Sequence, residues 1–329
     1  MKHFTLFALA STLAISSVAA RSEHYKGIKW KDRETHHFVL RAKDTDHNPG
    51  KKFAEDVYDL TEGILPGLKA DFEEKEFRTP SGSDGGGDSE KFRYTIYMTG
   101  KAYTYLTMVQ QEADKGRTAN NIRGMKVTGN YGDVQNQFYV LCKEHIGDAD
   151  IESGKGGRKR DMTNVMIHSV GSQLVAGRAR QSGLPLWMGA GYGYYCEHKL
   201  TKSCRVHYID FSGYYDQAGD MVTGGKLNSS DPWTKPLRAL CKKNIRETLA
   251  VVTSAKVDSM TPNISGYMFA LAHFMVSTPE RCKNYQKLVA SARSGIQITK
   301  AELLQAYGYS SDSEFEKDWY EYMLSNKFR

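Results

Sequence analysis

The sequence predicts an α+β fold, and three observations carry that expectation. Apolar residues alternate with polar ones at several places in the first half of the chain, recur at helical spacing through the second half, and are missing from a Gly-, Ser- and Asp-rich stretch that interrupts the first half. Strands gathered in one half and helices in the other describe a small sheet packed on a helical body.

In chain order, Thr35 to Arg41 reads as the first strand and Asn48-Pro49-Gly50 as the break after it. Phe53, Val57, Leu60, Ile64 and Leu68 fall on one helical face, which predicts a helix over 51–77 with a disturbance at Pro66. Residues 80–89 have no apolar surface to bury and read as a flexible loop, and their aspartates lack the spacing of a calcium-binding loop. Strands follow at 92–98 and 137–141, giving a strand-rich part over 21–160 with one or two helices between the strands. The part over 161–329 is helical, with helices expected at 162–178, 185–198, 245–254, 266–277, 283–292, 300–307 and 313–325. No internal repeat is present.

The N-terminus has the build of a secretory signal peptide over residues 1–20. Lys2 and His3 precede an apolar run from Phe4 to Val18, and Val18-Ala19-Ala20 offers small residues for cleavage. The expected product is exported, periplasmic or extracellular, with no transmembrane segment after cleavage, because no later run approaches about 20 apolar residues. Cleavage removes Lys2 and no acidic residue, so the formal charge of +7 falls by one to +6. So small a charge on a chain of this length steers partners weakly, and with export it argues against nucleic acid as a partner. The basic run at 158–160 reads as a solvated loop.

Five cysteines, Cys142, Cys196, Cys204, Cys241 and Cys282, allow two disulfides and one free thiol in an oxidising compartment. Cys196 with Cys204 and Cys241 with Cys282 are conceivable pairs, but sequence does not select between pairings. None has the close spacing of a structural zinc site.

The segment over 164–174 is apolar on nearly every side yet carries His168 in its middle, and a second glycine-punctuated segment follows, Pro185-Leu186-Trp187-Met188-Gly189-Ala190-Gly191-Tyr192-Gly193. This pair resembles the gluzincin, or peptidase MA-like, zinc metallopeptidases, in particular exported bacterial members. That family carries HExxH on one helix and Glu-Gly after a Pro-x-Trp on the next. His168 matches the first histidine, and Pro185 to Gly191 matches the second motif in spacing; the resemblance extends to 267–274 and 315–319, so it covers most of 30–325. It implies a metallopeptidase-like fold with a small strand-rich N-terminal part packed on a buried helix of the active-site type.

The family's chemistry needs two histidines four residues apart to hold zinc, a glutamate beside the first as general base, and a carboxylate from the second helix as third ligand. This sequence has Ser169 at the base position, Ser172 at the second histidine and Ala190 at the third ligand. Serine is a poor neutral ligand, alanine is none, and Gln173 and Gly191 do not compensate. The resemblance therefore implies an inactive relative: no catalytic residue, no metal ligand, zinc absent, and His168, Ser169, Ser172 and Ala190 as vestigial positions. Its expected role is binding or scaffolding, with a peptide, protein or polysaccharide outside the cytoplasm held in what remains of the cleft, and Tyr192, Tyr194 and Tyr195 as candidates to line it.

The alternative is a hydrolase built on non-standard residues in the same cleft, for which Glu197, His198 and His207 are the candidates to converge on His168. Against it, Glu197 and His198 near a helix end would ordinarily be solvated. Other readings are weaker. No GxSxG elbow accompanies His168 and Ser172, Cys196 and His198 fall on different helix faces, and the alternating glycines are not GxGxxG after a strand. Those small residues are better explained by close packing of two helices.

Overall fold

A computed structural model describes residues 25–68, 94–133, 138–143, 162–179, 184–205, 233–256 and 259–329. The expected loop at 80–89, the signal segment, the basic run at 158–160 and His207 lie outside these residues. The architecture is α+β: one five-stranded mixed sheet and a helical body.

The strands are β1 (Lys31–Glu34), β2 (Phe38–Lys43), β3 (Tyr94–Thr99), β4 (Asn130–Asp133) and β5 (Phe138–Cys142), arranged β1-β2-β3-β5-β4. The centre, β2-β3-β5, is parallel, and β1 and β4 pair antiparallel at the two edges. Parallel neighbours need crossovers. The first is α1 (Asn48–Ile64), and the second contains α2 (Ala102–Asp114) and α3 (Ala119–Thr128). The single strand expected over 35–41 is thus a hairpin: β1 is Lys-Asp-Arg-Glu, exposed throughout, with no apolar alternation to reveal it. Charge on such an edge also discourages pairing with other chains.

Period-two alternation divides the sheet into two covered faces. Phe38, Leu40, Ile96, Met98, Tyr139 and Leu141 face the main core, whereas Tyr97, Val140 and Cys142 pack with Tyr105, Met108 and Val109 of α2 in a smaller one. Tyr25 closes the smaller core, its hydroxyl 2.8 Å from that of Tyr131.

α1 begins at Asn48, earlier than expected, because Pro49 suits the first helical turn instead of breaking it. It ends at Ile64, before Pro66, whose missing amide and ring cannot continue a helix. The remaining helices are α4 (Met162–Arg178), α5 (Leu186–Thr201), α6 (Thr234–Lys242), α7 (Leu249–Ser254), α8 (Pro262–Met275), α9 (Pro279–Arg293), α10 (Lys300–Tyr307) and α11 (Asp312–Leu324). α4 and α10 have the expected bounds. α8 and α9 start four residues earlier than expected because Thr261-Pro262 and Thr278-Pro279 are N-terminal signals: each threonine hydroxyl accepts an amide, from Ile264 at 3.1 Å and Arg281 at 3.2 Å, ahead of a proline. The order of packing places the site: α1 lies on α4, α4 on α5, and α5 on α8. α4, α5 and α8 are buried along most of their circumference, and one continuous core joins them to the sheet.

Candidate functional site

Helices α4 and α5 approach unusually closely, and their glycines explain why. A methyl group at Gly193 would sit 2.6 Å from the His168 carbonyl oxygen and 2.8 Å from its Nδ1, and one at Gly189 would sit 2.9 Å from Ser172 Oγ. On the opposite side of α5, a methyl at Gly191 would meet the Met268 carbonyl of α8 at 2.8 Å. The alternating small residues therefore let one helix fit between two others, as close packing of glycine requires.

This approach brings two of the sequence-selected positions, His168 and Ser172, against α5. Ser172 faces α5 one residue from Ala190, and His168, four residues earlier, lies beneath Gly193 with its ring edge on Tyr194 at 4.4 Å between centroids. Ser169 and Ala190 are buried. Gln173, next to Ser172, reaches the sheet edge at β4: its amide lies against Gly132, and Tyr94 OH is 3.5 Å from its Oε1.

The residue that organises the site is Glu197. Its Oε1 is 2.9 Å from His168 Nδ1, and its Oε2 accepts from Asn164 Nδ2 at 2.9 Å and from the Arg205 amide at 2.9 Å. The Asn164 amide also donates to the Ser203 carbonyl at 3.2 Å. Thr201 Oγ1 donates to the Glu197 carbonyl at 2.8 Å, which ties down the last turn of α5. Glu197 has no exposed surface and His168 almost none. Burial pushes the Glu197 carboxyl above its usual range, opposed by His168, the Arg205 amide and Asn164. Chemically, a carboxylate on Nδ1 fixes the orientation and tautomer of an imidazole, as it does for metal-binding and acid–base histidines.

The expectation that Glu197 and His198 are solvated is therefore corrected: both are buried, because α5 runs three residues past its expected end at His198 and is covered by α8 and the segment after it. Only Glu197 converges on His168. His198 points the other way, its ring 5.0 Å from Phe269 and 6.0 Å from His273 of α8. Burial and the nearby Lys202 and Lys199 push His198 down to about 4.

The three tyrosines offered as cleft lining are buried and diverge. Tyr192 stacks on Tyr285 of α9, Tyr194 packs between His168 and Trp233, and Tyr195 meets His273 edge-on. No disulfide joins any of the five cysteines, so neither conceivable pair is linked. Cys204 Sγ donates to the Tyr194 carbonyl at 3.4 Å and Cys282 Sγ to the Val276 carbonyl at 3.4 Å, and burial pushes both thiols up.

The chain has no significant match among protein-family models or curated proteins. Its site is thus read from its own chemistry. Among the described residues, no group of three or more His, Cys, Asp or Glu side chains is placed to hold a metal ion, and no helix is long and apolar enough to cross a membrane. At the positions selected from the sequence, His168 supplies one nitrogen, Ser172 a neutral hydroxyl, and Ala190 no donor. The sequence passed over Asn164, whose short side chain at a helix start carries no signal until Glu197 and Ser203 are brought to it.

Proposed function

We propose that this chain is an exported protein of metallopeptidase-like build that has lost hydrolysis and serves in binding or scaffolding. The observation that supports the reading is the packing of His168 and Ser172 of α4 against Gly193 and Gly189 of α5, with Glu197 on the His168 ring. A carboxylate on Nδ1, the contact that orients a ligating histidine, is present, while the positions that would hold the base and two ligands carry Ser169, Ser172 and Ala190. A lone imidazole neither holds zinc tightly nor generates hydroxide from water. The antiparallel strand β4, which borders α4 through Gly132 and Gln173, is the place where a peptide, protein or polysaccharide segment would lie against the site.

The test is restoration. Purified full chain, and a variant carrying Ser169→Glu, Ser172→His and Ala190→Glu, are compared by metal analysis and by peptide hydrolysis with and without chelator. The expected result is no stoichiometric zinc in the parent and about one zinc per chain in the folded variant. Stoichiometric zinc with chelator-sensitive proteolysis in the parent overturns the loss of function. A folded variant that takes up no zinc overturns the metallopeptidase-like geometry.

One observation favours a second reading, a hydrolase that uses His168 as an acid–base group: the 2.9 Å contact with Glu197 is the base-and-orienter half of such a device. Its signature is turnover that chelators leave intact and that Glu197→Gln and His168→Gln both abolish. Metal-free activity surviving both substitutions rejects it.

A further inference from the structure

On the far side of α5 from His168 lies a pair of buried histidines, His198 and His273, roofed by residues 325–329. Both rings are almost wholly buried, and each has a nitrogen with no hydrogen-bond partner, Nδ1 of His198 and Nε2 of His273. The other His273 nitrogen is 2.7 Å from Tyr322 OH of α11. Phe328 caps the cluster: it is fully buried, 5.3 Å from the His273 ring, 5.7 Å from Phe269 and 6.0 Å from Tyr322 between centroids. The segment carrying it leaves α11 after Leu324 and is held by Arg238 of α6, which donates to the carbonyls of Met323 at 3.3 Å, Ser325 at 2.6 Å and Phe328 at 2.5 Å.

We propose that His198 and His273 form an acid-sensitive latch on the C-terminal segment over 325–329, which stays closed while both rings are neutral and opens when either is protonated.

Among the described residues, no carboxylate is placed to pair with a charged ring. From α5 the groups facing the pair are Tyr195 and the cations Lys199 and Lys202; from α8, Phe269; from α11, Tyr322. Arg281 of α9 lies over Tyr322, and Arg238 of α6 serves the tail, which adds two more positive charges nearby. Cys204 follows α5 as a neutral buried thiol, Arg329 is exposed, and Glu197, next to His198 in the chain, is committed to His168 on the other face of the helix. A buried charge without a partner is expensive, and the same two lysines oppose a metal cation at this place. Burial and the lysines hold both rings neutral, His198 pushed down to about 4 and His273 to about 3.

Relief comes through the weakest wall. α5, α8 and α11 meet the pair within helices embedded in the core, whereas Phe328 sits on a short non-helical segment that opens without breaking any helix. At pH 5.5, each ring that titrates only in the open state favours opening by about tenfold, and two rings by up to about a hundredfold.

Hydrogen exchange of the full chain, followed by mass spectrometry and corrected for the intrinsic pH dependence of exchange, tests this. Between pH 7.5 and pH 5.5 the amides of 325–329 are expected to lose at least tenfold of their protection while those of α4 keep theirs. The single variants His198→Phe and His273→Phe should each lower that pH response, and Phe328→Ala should leave the tail open at both pH values. Histidine ring resonances give an independent readout in the unmodified protein. The proposal is overturned if tail protection is equal at the two pH values, if both histidine variants keep the full response, or if both rings titrate near the ordinary histidine value with the tail closed.

Discussion

Replacing Gly193 by alanine tests the close approach of α4 and α5 on which the reading of the site depends. Judged by helix propensity alone the change is favourable, since Ala is preferred to Gly in a helix interior by about 1 kcal/mol. Packing reverses the sign. The new methyl would lie 2.6 Å from the His168 carbonyl oxygen and 2.9 Å from its Cε1, where ordinary contact begins near 3.4 Å. The carbonyl belongs to a buried helix and the ring is fixed by Glu197, so neither yields without separating the helices. Overpacking of this kind costs about 1–3 kcal/mol, and with an obstacle that is partly backbone the upper end applies, leaving a net loss of about 2 kcal/mol. Two controls separate packing from propensity. At Gly189 the obstacle is the Ser172 hydroxyl alone, a single rotatable group, so Gly189→Ala should fall within about 0.5 kcal/mol of the parent. At Gly63 in α1 a methyl meets nothing within 4 Å, so Gly63→Ala should gain about 0.5–1 kcal/mol. Urea unfolding followed by circular dichroism reads all three as shifts of midpoint at constant slope. A Gly193→Ala protein as stable as the parent, or a Gly63→Ala protein as damaged as Gly193→Ala, would refute the reasoning.

Three further predictions use the same structure. Glu197→Ala removes the partner of His168, Asn164 and the Arg205 amide at once and should cost about 2–4 kcal/mol, whereas Glu197→Gln keeps one acceptor for the two amide donors and should cost roughly half as much; equal losses in urea titrations would contradict the network as drawn. Because His198 and His273 bind protons more weakly in the closed fold than unfolded, their contribution is intact above the ordinary histidine value and declines as pH falls below it; by pH 5 the closed fold loses roughly 2 kcal/mol per ring, a loss that opening of the tail caps, and a stability profile flat from pH 7 to pH 5 would count against it. Among the five thiols, half-buried Cys282 should react first with a thiol reagent in the native protein and the four buried ones only on unfolding, which a time course with peptide mapping decides.

What could be read in advance follows from how local each signal is. α4 and α10 appear in the sequence with their observed limits, since buried apolar periodicity and a Thr-x-x-Glu capping box are written within a few residues. β1 escaped because Lys31 to Glu34 has no apolar alternation, and α2, α3 and α6 because their apolar faces are short. Within the site, His168, Ser172 and Ala190 could be chosen from spacing. Asn164 could not, and Glu197 entered only as one candidate among three.

The sequence by itself determined the residue chemistry: His168 within an apolar segment, Ser169 and Ser172 after it, Ala190 further on, and glycines at 189, 191 and 193. Those facts hold for any fold the chain adopts, because they concern which functional groups exist. Only the tertiary structure decided which groups meet. It turned Glu197 inward to His168 and His198 outward to His273, although they are neighbours in the chain, because successive residues on a helix point about 100° apart and α5 is covered on both sides. It also placed Phe328 over a histidine 55 positions away, a contact set by how α8 and α11 pack and by Arg238 from a third helix, and by no pattern that a stretch of sequence contains.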